Sequence, residues 1–331
     1  MVGLFKNKNP GNALVLLFYG LALKFPVFLH PVKPVSNAGD NYLYRLVVRY
    51  LDQVTSHAPI LYSLLAFLLF FTQATLLNRI ANSLRLFPKS NYLVGMALLL
   101  TSSLVPEWNS FSSPLLVNSL LIWIWYRMVG LYNNNNPKTS IYNVAVLVGL
   151  LPLLYSPALI GIVLLIMALL ITRPLRITEW LVALLGLISP YYFLFVILFL
   201  TDRWSINKII PEETFRMPGL PANVWLIAAV VLLLLPFVSG SYLVQKNIGK
   251  MQINVRKAWS LLVVMLCIAI IVILIHPAGR YMHWMLAIIP LSAFHAATYY
   301  FWESKWLMTL LHWLTFGFAI AVTYQIFPAG R

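Results

Sequence analysis

Charged residues are scarce in this chain of 331 residues: Asp, Glu, Lys and Arg make up only 9% of it, against about 25% in soluble globular proteins. Hydrophobic residues make up 61%, and a soluble fold of this length cannot hide so much apolar surface from water. These proportions exclude a soluble globular protein and indicate an integral membrane protein.

Cysteine and the short motifs of soluble enzymes are also missing. Cys267 is the only cysteine, so no disulfide can form within the chain and no second thiol is present for a metal site. No glycine-rich dinucleotide motif, P-loop, HExxH or GxSxG sequence occurs. The net charge is +15. Without a basic tail or a nucleic-acid motif, this excess is interpreted as membrane topology, and no nucleic acid is expected as a partner.

Long apolar runs are what the sequence does contain. They recur along the whole chain with lengths of roughly 17 to 22 residues, enough to cross the hydrocarbon core of a bilayer. We therefore predict an all-α fold in which residues 1–331 form a single integral membrane domain with about eleven transmembrane helices. The predicted spans are roughly 12–29, 59–78, 91–106, 114–131, 141–155, 158–172, 179–200, 223–243, 259–276, 283–301 and 306–326.

The basic residues predict the orientation of these spans. With the N-terminus in the cytoplasm, fourteen of the 23 Lys and Arg residues fall on the cytoplasmic side and eight on the outer side, as the positive-inside rule requires. Most of the carboxylates fall on the outer side, which fits either a polar site there or ordinary solvated loops. These outer carboxylates are Asp40, Asp52, Glu107, Asp202, Glu212 and Glu213.

The first outer loop, at about 31–58, carries an amphipathic pattern. Between Asp40 and His57 the apolar residues recur with helical spacing, and Arg45, Arg49 and Asp52 lie on the other face. This pattern predicts a helix that lies in the outer membrane interface. The apolar positions are Leu43, Leu46, Val47, Tyr50, Leu51 and Val54.

Two carboxylates of the outer side are candidate catalytic groups. Asp40, at the start of the interfacial helix, could act as a general base or as a ligand of a divalent cation. The competing interpretation is an N-cap that accepts the free N–H groups of the first helical turn. Glu107 could be a second acid of the same cavity, or a solvated loop acid beside an interfacial anchor, Trp108.

Residues 276–291 carry the candidate binding groups. Arg280, Tyr281 and His283 follow a Pro/Gly turn between two apolar runs, which places a cation and hydrogen-bonding rings at the edge of the bilayer. Since a guanidinium can donate two hydrogen bonds to a phosphate, this cluster suggests binding of an anionic lipid head group. The alternative is an arginine that snorkels to carbonyls or lipids. Lys24 could likewise snorkel from the first span or add positive charge to the same site.

Three short segments carry a family resemblance. Residues 38–47 (AGDNYLYRLV), residues 106–116 (PEWNSFSSPLL) and Arg280-Tyr281 with Pro290 occur in an order that resembles the GT-C superfamily of membrane glycosyltransferases. Members of that superfamily use sugars linked to polyprenyl phosphate. The chain also resembles an uncharacterised multi-pass membrane family of Bacteroidota.

The resemblance implies an enzyme of the bacterial inner membrane that moves a sugar from a polyprenyl-phosphate donor on the outer face. Asp40 would be the base or the cation ligand, and Arg280, Tyr281 and Lys24 would hold the donor phosphate. Such a mechanism requires Asp40, Glu107 and Arg280 to converge on one cavity. Membrane lipids are the remaining expected partners.

The sequence also departs from the superfamily pattern at three positions. The first outer loop has a single carboxylate, Ser113-Pro114 stands where an acid is common, and Tyr155-Ser156-Pro157 stands where a basic residue is common. These departures favour an alternative, a non-catalytic subunit that binds lipid or other subunits of an envelope complex. A lipid-carrier transporter is a third hypothesis, but no internal repeat supports it.

Overall fold

The computed structural model describes residues 2–37, 39–54, 58–202, 224–275 and 281–324. Within these ranges the protein is all-helical and contains no strand, which confirms the predicted all-α class. The α-helices are α1 (Val2–Phe5), α2 (Asn12–Lys24), α3 (Pro26–Leu29), α4 (Tyr42–Val54), α5 (Pro59–Ser83), α6 (Leu93–Thr101), α7 (Ser113–Val129), α8 (Pro137–Leu154), α9 (Gly161–Thr172), α10 (Ile177–Leu200), α11 (Val224–Asn247), α12 (Ile253–Ile275), α13 (Ile288–Phe301) and α14 (Lys305–Thr323). Short 3-10 helices are formed by Pro106–Asn109, Ser156–Ile160, Ile248–Lys250 and Met282–Ala287.

Six helices in the described ranges are long and apolar enough to cross a membrane: Pro59–Ser83, Pro137–Leu154, Ile177–Leu200, Val224–Lys250, Ile253–Ile275 and Lys305–Thr323. Asn12–Lys24 and Ser156–Thr172 are shorter apolar helices. Every predicted span contains an α-helix, but the prediction of eleven crossings is not confirmed. The nine residues of α6 show why, since they rise only about 14 Å.

Serine and threonine side chains end α6 before it reaches the length of a bilayer. The Thr101, Ser102 and Ser103 hydroxyls donate to carbonyls one turn earlier in the same helix, a pattern that competes with further helical bonding. Pro106 then begins a separate 3-10 helix, and the residue before it is extended. The chain between α6 and α7 is therefore irregular, and it supplies several of the site residues.

Large apolar side chains are exposed on the surfaces of α10 and α11. Leu181, Phe193 and Ile197 on α10 and Ile227 and Val231 on α11 are exposed. Contiguous exposed apolar surface of this kind marks a protein that contacts a membrane or a partner. Together with the six long apolar helices, it identifies the chain as a membrane protein.

Hydrogen bonds between distant loops define two ends of the helix bundle. At one end, called the Asp40 end here, the loops after α3, α6, α8 and α12 meet one another. The bonds there are Ser156 N–H to the Gly39 carbonyl (2.8 Å), Trp108 Nε1–H to the Tyr281 carbonyl (2.9 Å) and the Thr323 hydroxyl to the Ser103 carbonyl (3.2 Å). At the opposite end they are Tyr92 N–H to the Phe5 carbonyl (2.7 Å), Lys89 N–H to the Tyr300 hydroxyl (3.1 Å) and Arg173 to the Asn134 carbonyl (3.0 Å).

The contact between α11 and α13 is close and polar. A Cβ atom placed on Gly240 of α11 would lie 2.1 Å from the Phe294 carbonyl oxygen of α13, so the helices approach backbone to backbone. Pro236 interrupts the bonding of α11, and its carbonyl accepts a hydrogen bond from the Thr298 hydroxyl (2.5 Å). The His295 ring nitrogen Nε2 lies 2.8 Å from the Leu233 carbonyl.

Residues 42–54 form the helix that the amphipathic pattern predicts, α4. The Tyr44 side chain is buried, and Leu43, Val47 and Leu51 pack on the core from the same helix. Arg49, on the other face, is exposed. The helix therefore covers the Asp40 end of the bundle.

Candidate functional site

Asp40 lies in the loop just before α4 and is buried, with 2% of its surface exposed. Its carboxylate accepts a hydrogen bond from the Ser113 hydroxyl and a second from the Asn37 backbone N–H (2.8 Å). The N-cap interpretation is wrong, because these donors come from the first turn of α7 and from the preceding loop rather than from α4. The Asn41 side chain accepts from the Tyr42 N–H at the start of α4 instead.

Burial raises the pKa of the Asp40 carboxyl above its ordinary value. Three weaker effects oppose this rise, namely the hydrogen bonds from Asn37 and Ser113 and the nearby charge of Arg45. A carboxyl with a raised pKa is a better proton acceptor once it is ionised than an exposed one. A raised pKa is one of the properties that a general base requires.

This shift predicts a pH-dependent difference between the wild type and Asp40→Asn. A raised folded-state pKa stabilises the protein below the unfolded-state value, and this contribution is lost as the pH rises through the folded-state pKa. We expect the wild type to lose free energy of unfolding relative to Asp40→Asn from about pH 4 upward. The free energies of unfolding of both proteins are measured in an uncharged detergent at about pH 4 to 8. A difference between the two proteins that stays constant over this range would contradict the raised pKa.

Backbone bonds fix the Asp40 loop to the end of α8. Asp40 and Tyr155 form an isolated antiparallel bridge, and the Asn41 side chain donates to the Pro152 carbonyl (2.8 Å) inside α8. A Cβ atom on Gly39 would lie 2.5 Å from the Tyr155 ring. Only glycine permits this close approach, so the Gly39-Asp40 pair is positioned by the turn at Tyr155.

Tyr155 also connects this loop to the Met282–Ala287 helix. Its hydroxyl is hydrogen-bonded to Nδ1 of His283, and the two ring centroids lie 5.7 Å apart. Both side chains are buried, with 1% and 5% exposed surface. His283, a predicted binding residue, therefore lies at the Asp40 end and is linked to the Asp40 loop through one side chain.

Glu107 and Tyr281 lie on neighbouring segments. The Tyr281 carbonyl accepts from the Trp108 indole N–H (2.9 Å) and from the Trp284 backbone N–H (3.1 Å). Burial, and secondly the charge of Glu107, raise the pKa of the Tyr281 hydroxyl. Trp108 is fully buried, so its interpretation as an interfacial anchor is wrong.

The backbone of Tyr281 adopts a left-handed conformation, with φ at 49°. A non-glycine residue in this region costs of order 1 kcal/mol and persists only where its surroundings fix it. The two hydrogen bonds to its carbonyl, from Trp108 and Trp284, supply that restraint. Arg280, the predicted phosphate ligand, lies outside the described residues.

Lys24 is buried at the end of α2, with 1% of its surface exposed. Its Nζ donates to Asn109 Oδ1 (2.5 Å) and lies 3.7 Å from the centroid of the Phe70 ring. Lys24 is therefore not a snorkelling residue, since its ammonium group points into the protein rather than to the surface.

Two cavities flank the Pro106–Asn109 helix, and they share no lining residue. An apolar cleft of about 190 Å³ is lined by Trp108 and Trp284 together with apolar residues of α11, α12 and α13. A more polar cavity of about 200 Å³ is lined by Asn109, His30 and Ser63 among others. Neither Asp40 nor Glu107 lines either cavity.

The structure places most of the predicted site residues at one end of the bundle. The convergence of Asp40, Glu107 and Arg280 on one cavity is not confirmed, because the first two line neither cavity and Arg280 lies outside the described residues. Asp40, Glu107, Tyr281, His283 and Lys24 all lie at the Asp40 end. The sequence did not indicate roles for Ser113, Tyr155 and Asn109, which join the predicted residues to one another.

A divalent cation is the one cofactor that the sequence suggested. Among the described residues, no three His, Cys, Asp or Glu side chains are grouped closely enough to hold a metal ion. The Asp40 carboxylate is engaged by Ser113 and Asn37, as described above.

No protein-family model matches this chain, and neither does any curated protein or solved structure.

Proposed function

We propose that this chain is a membrane glycosyltransferase-like protein that takes a sugar from a polyprenyl-phosphate donor. The observation that carries the proposal is the apolar cleft lined by Trp108 and Trp284, since Trp108 is hydrogen-bonded to the Tyr281 carbonyl at the Asp40 end. A lipid-linked phosphate has an apolar chain and an anionic head, and this arrangement offers surroundings for both. The charge distribution favours the Asp40 end as the outer face of a bacterial inner membrane.

The cleft is suited to an isoprenoid chain. Its lining includes Val230 and Leu234 of α11, Leu266 and Ile270 of α12 and Leu291 of α13. Almost all of this surface is apolar, so a hydrocarbon chain is its natural ligand. A chain bound there would place its phosphate near Tyr281, and Arg280 would supply the cation.

The reaction would proceed by direct displacement at the anomeric carbon. The acceptor hydroxyl would attack that carbon and release its proton to the Asp40 carboxylate, which substrate binding would have to make accessible, while Ser113 and the Asn37 N–H hold the carboxylate in place. The bond between the anomeric carbon and the phosphate oxygen would break, and polyprenyl phosphate would leave with the electron pair. Arg280 and Tyr281 would stabilise the charge that grows on this phosphate.

A pair of tryptophan substitutions tests the cleft. Val230 lines it, whereas the next residue, Val231, is exposed and does not line it. We expect Val230→Trp to weaken binding of undecaprenyl phosphate at least about tenfold by filling the cleft, and Val231→Trp to leave binding unchanged. Quenching of tryptophan fluorescence in neutral detergent measures the affinity, with correction for the added indole.

Equal affinities of the wild type and Val230→Trp for undecaprenyl phosphate would show that the lipid does not bind in the cleft. The proposal would then lose its basis. Equal weakening in both variants would indicate a general loss of structure. Thermal unfolding of each variant distinguishes that case from a blocked cleft.

A second candidate function is a non-catalytic, lipid-binding subunit of an envelope complex. The observation that favours it is the bonding of Asp40, whose carboxylate connects the loop before α4 to α7. In that case Asp40 is structural. Purification with stoichiometric partner proteins, together with lipid binding but no transfer of any polyprenyl-linked sugar, would support this candidate over the enzyme.

A further inference from the structure

The polar cavity at the Asp40 end has a distinct chemistry that the proposed transfer reaction does not use. It is lined by segments that follow α2, α6 and α14, and its volume is about 200 Å³. A water molecule takes up roughly 30 Å³ in the liquid, so the cavity has room for a small oxyanion with part of its substituent.

One polar group in the cavity wall has no hydrogen-bond partner. The hydroxyls of Ser63, Ser110, Thr323 and Tyr324 all donate to backbone carbonyls. The side chain of Asn109, by contrast, is 4% exposed and its Nδ2 has no partner. A buried amide N–H without an acceptor costs about 1 to 3 kcal/mol, so an acceptor is expected at this position.

A buried lysine lies directly behind this amide. Lys24 Nζ donates to Oδ1 of Asn109, and no described carboxylate lies within salt-bridge distance of the lysine. An ammonium group on Oδ1 polarises the amide and makes its N–H groups stronger donors. Lys24 and Asn109 therefore form one hydrogen-bonded unit, in which Asn109 belongs to the cavity wall and keeps an amide donor without an acceptor.

We propose that the cavity binds a phosphate group, with Asn109 Nδ2 as the donor and Lys24 as the balancing charge. Apolar side chains of the wall, among them Val27, Leu29 and Phe111, suit the substituent of a phosphate ester. The phosphate belongs either to a lipid head group or to a soluble molecule. Because this cavity shares no lining residue with the apolar cleft, the inference is independent of the transfer reaction.

Titration with two probes distinguishes these sources. Inorganic phosphate is added to the full chain in phosphate-free neutral detergent, and phosphatidylglycerol is added in nanodiscs of phosphatidylcholine. The thermal unfolding midpoint is measured at each concentration, since a ligand that binds only the native state raises it. Stabilisation by phosphate alone indicates a soluble ligand, and stabilisation by phosphatidylglycerol alone indicates a lipid. Stabilisation by neither overturns the proposal.

Two variants test the residues. Asn109→Asp gives Lys24 a carboxylate partner and places negative charge in the cavity, so the protein should fold while its affinity for the probe falls at least about tenfold. Lys24→Met removes the cation in a side chain of similar length and should have a comparable effect. Lys305→Met removes an exposed charge at the opposite end and should change nothing.

Unchanged affinity in a folded Asn109→Asp or Lys24→Met variant would also overturn the site. Val230→Trp serves as a cross-check, because it fills the other cavity. It should bind the phosphate probe like the wild type, so failure of the lipid cleft and failure of the phosphate site give different patterns.

Discussion

Replacing Asp40 by Asn is expected to lower sugar transfer by about 10²- to 10⁴-fold, the usual contribution of a general base. Asn has nearly the same shape, and its amide can still accept from the Asn37 N–H while it donates to the Ser113 hydroxyl. The variant should therefore fold, and only the proton acceptor is lost. Transfer from a panel of radiolabelled polyprenyl-phosphate sugars, measured beside thermal unfolding, gives both quantities.

Asp52 provides a matched control for this experiment. It lies in α4 near the same end, and its carboxylate accepts a hydrogen bond from the Tyr62 hydroxyl (2.5 Å). Asp52→Asn removes the same charge from the same region but should retain transfer. Wild-type turnover in Asp40→Asn, or equal losses in the two variants, would exclude Asp40 as the base.

Gly240→Ala is expected to destabilise the protein by about 1 to 3 kcal/mol, the usual cost of overpacking. The added methyl group would lie 2.1 Å from the Phe294 carbonyl oxygen and 2.7 Å from Thr298 Oγ1. Since the nearer atom belongs to the backbone, α11 must move away from α13. That movement would also strain the hydrogen bond from Thr298 to the Pro236 carbonyl.

Gly317→Ala in α14 is the corresponding control, because nothing lies within 4 Å of a Cβ atom there. Alanine favours a helix over glycine, so this variant should be neutral or up to about 1 kcal/mol more stable. Both free energies are measured by denaturation in mixed micelles. If the two variants unfold alike, then the close contact of α11 and α13 does not contribute to stability.

Much of the helical architecture could be predicted from local patterns. The apolar runs located a helix within every predicted span, and the spacing of Leu43, Val47 and Leu51 located α4. Hydropathy could not predict the lengths of the helices, because individual side chains decide where each helix ends. The hydroxyls of residues 101–103 end α6 early, and the Pro236 carbonyl of α11 accepts a hydrogen bond from Thr298 of a different helix.

The sequence predicted which polar residues belong to the candidate site, but it did not predict which residues they contact. Asp40, Tyr281, His283 and Lys24 were identified because polar groups are rare in such a chain. Their partners were not, since Ser113 and Tyr155 are ordinary residues whose roles arise only when distant loops meet. Asp40 illustrates the limit, because the same position in the sequence fits a helix cap equally well.

The Pro106–Asn109 helix lies between the two cavities, and two adjacent residues of this helix line different cavities. Trp108 lines one cavity and Asn109 lines the other, so a displacement of this helix that widens one cavity moves the wall of the other. Thermodynamic linkage then applies: a ligand that shifts the helix from one side changes the affinity on the other side, and the reverse effect has the same magnitude. A ligand or side chain that leaves this helix in place, as Val230→Trp should, leaves the two cavities independent of each other.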